Sequence, residues 1–421
     1  MSEPMPRGFG WLITAQFLSA LADHTLLIIT IAHLQFLGAP VWWAPLLKFA
    51  FTLSYVFLAP FIGALADSIC KRRLMVAMHL LKLLGAVLLL VGLPPLWAFA
   101  LVGLGAAAYA PAKYGLLTES VPSSQLVAAN GWIETAVVLS VLLGTVLGGV
   151  LVAPVWLNAS WVDTLAATPL LAWGASAPEL NVSMAVVVGI YAVAGLFHLG
   201  IRPSGARYPR QPIAPLRLVA AFTRANARLW ADPSGGLSLA VTTVFWGAGA
   251  LMQFAVLHWS VQTLGLGLDQ AAYLQGLVAV GVVVGAVLVA WRLRIRNATR
   301  VLPLGLALGA LMALSVWVPS WPWAVPSLLL VGAIGGMLVV PMNALLQLRG
   351  HRLLTAGQSI AVQGFNENLS ILVTLSVYAG LLALDVPVRG IMALAGVMLL
   401  VFIALLMRGR HRARGGALNR R

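Results

Sequence analysis

Some twelve runs of roughly 20 or more residues pass along this chain almost without a charge, beginning near residues 9, 43, 73, 96, 126, 181, 237, 270, 300, 326, 356 and 388. Coiled as a helix, a run of that length matches the hydrocarbon thickness of a bilayer. In hydrocarbon every backbone N–H and C=O needs a partner inside its own segment, so these runs are expected as helices. The chain is 61% hydrophobic and only 9% charged, which excludes an ordinary soluble domain. It reads as an all-α integral membrane protein. The first run is expected as a span and not a secretory leader: its basic flank is the single Arg7, it outlasts a leader's apolar stretch, and Asp23 interrupts it.

A net charge of +15 would suggest nucleic acid as partner in a soluble protein; here its distribution points to topology. Lys71, Arg72 and Arg73 separate spans 2 and 3, and six arginines from Arg202 to Arg228 separate spans 6 and 7. Arg292, Arg294, Arg296 and Arg300 join spans 8 and 9, Arg349 and Arg352 join spans 10 and 11, and the tail carries six more from Arg408 to Arg421. The alternate connections hold almost no base, with Arg389 the clear exception. A Lys/Arg bias of this kind places the charged connections, and both termini, in the cytoplasm. No nucleic-acid partner is expected. The single cysteine, Cys70, excludes an internal disulfide and a cysteine-only metal site.

The Arg-rich connection divides the spans six and six, and the halves echo each other. Gly105 stands six residues before Pro111 in span 4, as Gly335 stands six before Pro341 in span 10, which aligns Lys113 with Asn343. In the fifth span of each half NGWIE matches QGFNE, aligning Glu134 with Glu367. Six-helix repeats in parallel register point to the major facilitator fold, whose substrate site lies near the bilayer midplane. The expected organisation is an N-terminal bundle over 1–201, a cytoplasmic linker over 202–236, a C-terminal bundle over 237–408 and a basic tail over 409–421. GALADSICKRR, residues 63–73, resembles the loop signature of that superfamily, and assigns Asp67, Arg72 and Arg73 a conformational, ion-pairing role.

A charge near the centre of a span costs about 2.5–3.5 kcal/mol on insertion scales unless it faces a polar interior. The acidic residues inside spans are Asp23, Glu134 and Glu367; the bases are Lys48, Lys82 and Lys113. Asp23 and Lys113, on spans 1 and 4, are the leading cavity candidates, with Gln253 on span 7 and Asn343 on span 10 behind them. A carboxylate and an ammonium together suit a substrate carrying both signs, or an anion held by Lys113. His24 lies about 100° round the helix from Asp23, and Tyr109 completes the candidate set on span 4. Glu134, at a depth similar to Lys113, is a pairing partner for it; Glu134, Glu367 and Lys82 are expected in gating or structural ion pairs. Lys48 is expected to snorkel outward. Gly144/Gly148, Gly281/Gly285, Gly305/Gly309 and Gly332/Gly336 have the spacing of close helix contacts. The long apolar connection from about 154 to 180 suits the outer membrane surface.

No HExxH, GxSxG, P-loop or acyltransferase His-x4-Asp pattern occurs, so a non-enzyme without cofactor or metal is expected. GTVLGG in span 5 lacks the proline of the antiporter signature, which gives little support to a proton-coupled exporter, the main alternative; a non-transporting scaffold for an acyltransferase is another. AQFLSALAD, LAPFIGALADS, LKLLGA, GLGAAAYAPAKYG, LVAANG, FWGAGALMQF and the GG-x-x-VVP-x-NALLQ block resemble the bacterial lysophospholipid transporter family of the major facilitators. The resemblance covers nearly the whole chain apart from 154–180 and the tail. It implies a lysophospholipid flippase of the bacterial inner membrane, monomeric, working beside an acyltransferase that re-acylates the lipid in the inner leaflet. It also implies a headgroup cluster of Asp23, Lys113 and the position of Gln253, where the family has Arg. The family's Asn after the Asp is His24 here, and its Glu after NALLQ is Leu348.

Overall fold

The computed structural model describes residues 8–121, 126–172, 177–205, 214–293, 295–354 and 356–418. Sixteen α-helices and no strand are found among them. They are α1 (Phe9–Phe36), α2 (Trp43–Ser68), α3 (Lys71–Leu90), α4 (Pro95–Ser120), α5 (Leu126–Val152), α6 (Pro154–Leu157), α7 (Ser160–Ala166) and α8 (Pro169–Ala172). Then follow α9 (Pro178–Gly200), α10 (Pro215–Ala231), α11 (Pro233–Leu264), α12 (Leu268–Arg292), α13 (Leu302–Leu314), α14 (Trp321–Leu353), α15 (Ala356–Ala383) and α16 (Val388–Leu418). Among the described residues 12 helices are long and apolar enough to cross a membrane. They are α1–α5, α9 and α11–α16, the last set including α13 with the 3-10 turn Ile295–Val301 before it.

Helix starts come earlier than the apolar windows where a cap and a proline fix them. The seventh span begins at Pro233 because the Asp232 carboxylate accepts from the backbone N–H of Ser234 (3.2 Å) and Gly235 (2.6 Å). The same helix ends at Gly265, whose φ of 66° suits a residue without a side chain. Pro111 lies inside α4 and Pro341 inside α14, the repeat-related positions. The 202–236 connection is not all irregular: it contains α10.

Two compact units divide the chain, Met1–Phe222 with Leu266–Gly276, and Thr223–Gly265 with Leu277–Arg421. In the first, α1 packs on α5 and α9, α3 on α4 and α9, and α2 on α4. Leu12, Met75, Leu116, Leu117 and Ile133 form part of its buried apolar core. The 154–180 connection folds into α6, α7 and α8 against α9: Trp156 Nε1 donates to Ser183 Oγ (3.0 Å) and Asn181 Nδ2 to the Leu171 carbonyl (2.9 Å). In the second unit, α11 packs on α14, α15 and α16, and α13 on α14 and α16.

Lipid supplies no hydrophobic drive for helices to associate, so small residues that admit close contact matter. All four glycine pairs lie at such contacts. A methyl on Gly144 would sit 2.6 Å from the Leu21 carbonyl, and one on Gly148 2.7 Å from Ile28 Cβ, both on α1. On Gly281 or Gly285 it would overlap the Leu329 or Ala333 carbonyl of α14, and on Gly332 or Gly336 those of Val278 or Val282 of α12. Gly309 meets Gly396 and Leu400 of α16, while Gly305 meets Ile403.

Candidate functional site

Ser19 and Asp23 are one helical turn apart on α1 and share a face. Lys82 of α3 reaches both: its Nζ donates to Asp23 Oδ2 at 2.7 Å and to Ser19 Oγ at 2.6 Å. The Tyr191 hydroxyl of α9 donates to the other carboxylate oxygen, Oδ1, at 2.5 Å. Lys82 Nζ also lies 5.5 Å from the centroid of the Tyr191 ring, within cation–π range. Both Asp23 oxygens are therefore engaged by residues from two other helices. The Lys82 side chain is 4% exposed and that of Asp23 15%, so the carboxylate is the more accessible end of the pair. Two paired charges in a low-dielectric interior roughly offset their own desolvation; removing one leaves the other uncompensated, at a cost of about 3–5 kcal/mol.

A second polar layer lies beside this pair. His79 stands one turn before Lys82 on α3, and His198 two turns after Tyr191 on α9. Their rings stack, centroids 4.3 Å apart and planes 21° apart. His79 Nε2 lies 2.8 Å from the Tyr191 carbonyl and His198 Nδ1 2.7 Å from the Ala194 carbonyl, so each of those nitrogens donates. His198 Nε2 then accepts from the Tyr109 hydroxyl at 3.0 Å, while His79 Nδ1 is buried without a hydrogen-bond partner.

Of the expected residues, Asp23 is paired with Lys82, because α3 turns residues 79 and 82 toward α1 and α9. Lys113 is buried on α4, its Nζ 4.5 Å from the Tyr114 ring centroid. Tyr109 is also buried, and its hydroxyl is committed to His198. His24 is half-buried and packs on α5, where its Cβ lies beside Gly144. Lys48 Nζ lies 4.9 Å from the Phe51 ring centroid. In the second unit Gln253 is half-buried. Asn343 and Glu367 are linked through Gln363, whose Nε2 donates to Asn343 Oδ1 (3.2 Å) and Glu367 Oε1 (2.9 Å).

At the basic ends of the spans, Arg72 donates to the Leu199 carbonyl at 3.0 Å, holding the last turn of α9, and Arg73 is exposed. Lys71 pairs with Glu119, which also accepts from Ser204 Oγ (2.5 Å). In the second unit Arg349 Nε lies 4.0 Å from Asp232 Oδ2, and Arg349 Nη2 donates to Ser234 Oγ at 3.4 Å. The side chains of Asp67 and Glu134 lie outside the described residues, as do the bases Arg292, Arg294 and Arg296. Among the described residues no three His, Cys, Asp or Glu side chains converge as a metal ion would require.

Tyr191, Ser19, His79 and His198 escaped the sequence reading, since none is charged in its span by residue type alone. Their signal was spacing: Ser19 with Asp23, His79 with Lys82, and Tyr191 with His198 each lie on one helical stripe. Chemically, the ensemble offers a partly exposed carboxylate paired with a buried ammonium group, among helices otherwise largely apolar.

The Major Facilitator Superfamily pattern matches residues 12–374. A lysophospholipid transporter, LplT, of Yersinia enterocolitica is 37% identical over 386 residues, covering 91% of this chain and 89% of that one. The transporter of the same name from Yersinia pestis strain Pestoides F is 37% identical over 378 residues, covering 89% and 87%. Among solved structures, a POT family transporter in complex with 5-aminolevulinic acid superimposes with a TM-score of 0.71 over 96% of each chain, at 13% identity. One bound to a thioalcohol-conjugated peptide gives 0.72 over 97% and 96%, also at 13%. These two speak to the fold.

Proposed function

We propose, from the premise that this chain belongs to the lysophospholipid transporters of the major facilitator superfamily, that it flips lysophospholipids such as lysophosphatidylethanolamine. Movement runs from the outer to the inner leaflet of a bacterial inner membrane, by alternating access and facilitated diffusion. Re-acylation by an inner-membrane acyltransferase follows. The protein acts as a monomer with both termini in the cytoplasm.

The observation that carries this reading is the Asp23 ion pair: a charge-bearing polar site in the middle of α1, amid helices otherwise built of apolar residues. A lysolipid headgroup crossing bare hydrocarbon meets the penalty of any buried charge. A polar station lowers that barrier, while the single acyl chain stays in apolar surroundings. In this mechanism Asp23 receives the headgroup's amine or hydroxyls. Lys113 holds its phosphate, and Gln253 and Asn343 contribute neutral hydrogen-bonding groups. The Asn343–Gln363–Glu367 chain and the Lys71–Glu119 pair serve conformational change.

Uptake of labelled lysophosphatidylethanolamine into reconstituted vesicles tests the proposal, with uptake expected in the absence of any ion gradient. No uptake by the wild type would end it, and a requirement for a pH gradient would replace facilitated diffusion with proton coupling. Asp23→Ala and Lys113→Ala are each expected to lower uptake at least tenfold per folded protein, the folded fraction being measured alongside because Asp23→Ala leaves the Lys82 charge uncompensated.

A further inference from the structure

We propose that α10 is a docking surface for anionic phospholipids of the leaflet it borders. The helix lies in the membrane interface and holds three arginines at the level of the phosphates. The proposal goes beyond the transport reading and does not depend on which lipid is carried.

The sequence of α10, PLRLVAAFTRANARLWA, holds three arginines and no acidic residue. Arg217, Arg224 and Arg228 are spaced by seven and four, which puts them within about 20° of one line along the helix. All three are exposed, and among the described residues none of them forms an ion pair. Asp232, just past the helix end, is committed to the backbone of α11 and faces Arg349. Leu216, Ala220, Ala227 and Trp230 make a second exposed line beside the arginines, with Leu216 86% and Trp230 41% exposed. Ala225 and Leu229 are turned the other way and buried. The helix thus packs one apolar face on protein and leaves another outside, bordered along one edge by positive charge.

What covers that outer face follows from depth. Asn366 Nδ2 of α15 donates to Asn226 Oδ1 (2.8 Å), and Asn366 Oδ1 accepts from Trp230 Nε1 (3.0 Å). Asn366 stands eight residues into the apolar span Gln358–Ala383, about 12 Å along its axis. The last two turns of α10 are therefore tied to a membrane span within its apolar stretch, not held out beyond its end. At that level the boundary between headgroups and acyl chains suits the exposed Trp230 and Ala227 better than water does. The arginines on the neighbouring edge extend their guanidinium groups back to the phosphates. A zwitterionic headgroup offers its phosphate beside a cation of its own, whereas an anionic one leaves the phosphate to the arginine. Each basic residue near such a surface is worth about a fivefold preference for it.

The test attaches a bimane fluorophore to Ala220→Cys in a Cys70→Ser protein, so that only one thiol is present. The full chain is reconstituted in an equal mixture of phosphatidylglycerol and phosphatidylcholine, with a quenching nitroxide on the acyl chains of one lipid or the other. Quenching needs contact, so the two samples report which lipid lies beside α10. With all three arginines in place, phosphatidylglycerol is expected to be favoured at the label by about tenfold or more, and less so as salt is raised. Arg217→Gln, Arg224→Gln and Arg228→Gln should each lower that preference by about two- to fivefold. Combined, they should bring it close to parity, with thermal unfolding unchanged because the three side chains are exposed. Equal quenching by the two lipids with the arginines intact overturns the proposal, since α10 then rests on the membrane without recognising charge. Quenching by neither overturns it as well, because the face is then open to water or covered by a protein. So does a preference that survives the triple substitution. Lysolipid uptake is measured separately, and its absence would remove the transporter reading while leaving this one standing.

Discussion

The third and sixth spans of each six-helix half are joined in opposite ways. In the first unit α3 meets α9 through side-chain chemistry: His79 on the Tyr191 carbonyl, His79 stacked on His198, and Lys82 over the Tyr191 ring. In the second unit the counterparts, α13 and α16, meet through missing side chains. A methyl on Gly396 would lie 2.5 Å from the Ala313 nitrogen, and one on Gly309 2.7 Å from the Gly396 carbonyl. Since lipid gives helices no hydrophobic reason to associate, either polar bonds or close backbone contact has to hold them. The glycine seam is chemically inert. The polar seam keeps charged and hydrogen-bonding groups between its helices, and Asp23 stands among them.

That contrast breaks most sharply at Lys82. Lys82→Met with Asp23 intact leaves the carboxylate with Tyr191 alone, and is expected to cost about 3–5 kcal/mol by chemical or thermal unfolding in detergent. The paired neutral variant, Asp23→Asn with Lys82→Met, removes both charges together and should recover most of that loss. If Lys82→Met is no more harmful than the pair, the polar seam is not an ionic device. His198→Leu comes next: it orphans the Tyr109 hydroxyl, and about 1–3 kcal/mol of stability should go with it. A Tyr109→Phe, His198→Leu double variant is expected to regain part of this.

On the other side of the comparison, Gly396→Val overpacks the α13–α16 seam. It should cost about 1–3 kcal/mol by unfolding in detergent, with lysolipid uptake per folded protein unchanged. A loss of uptake per folded protein would mean the glycine seam does more than pack. The smallest effect is expected from Gln363→Leu, which removes the Asn343–Gln363–Glu367 link. Stability should fall by about 0.5–1.5 kcal/mol, and uptake, followed in vesicles, should slow by no more than a few-fold.

Much of the architecture was legible in the residues themselves. The spans, the glycine contacts and the related positions of Pro111 and Pro341 follow from local patterns that the structure repeats. Asp23 was also legible as the residue demanding an explanation. Its partner was not. Lys82 and Lys113 both looked available, on neighbouring spans at plausible depths, and only the rotation of α3 about its axis brings Lys82 onto Asp23. His79 and His198 each read as a lone histidine in an apolar helix; their stacking exists only once α3 and α9 lie side by side.

What the sequence by itself determined was therefore which segments cross the membrane, which connections are basic, and that one carboxylate on the first span needs company. Those properties sum along the chain, because burying a charge or an unpaired backbone group in hydrocarbon carries its cost wherever the helix later packs. Only the tertiary structure decided which charge meets which. Consecutive residues point about 100° apart around a helix, so a small rotation exchanges one partner for another while leaving the hydropathy of every span untouched.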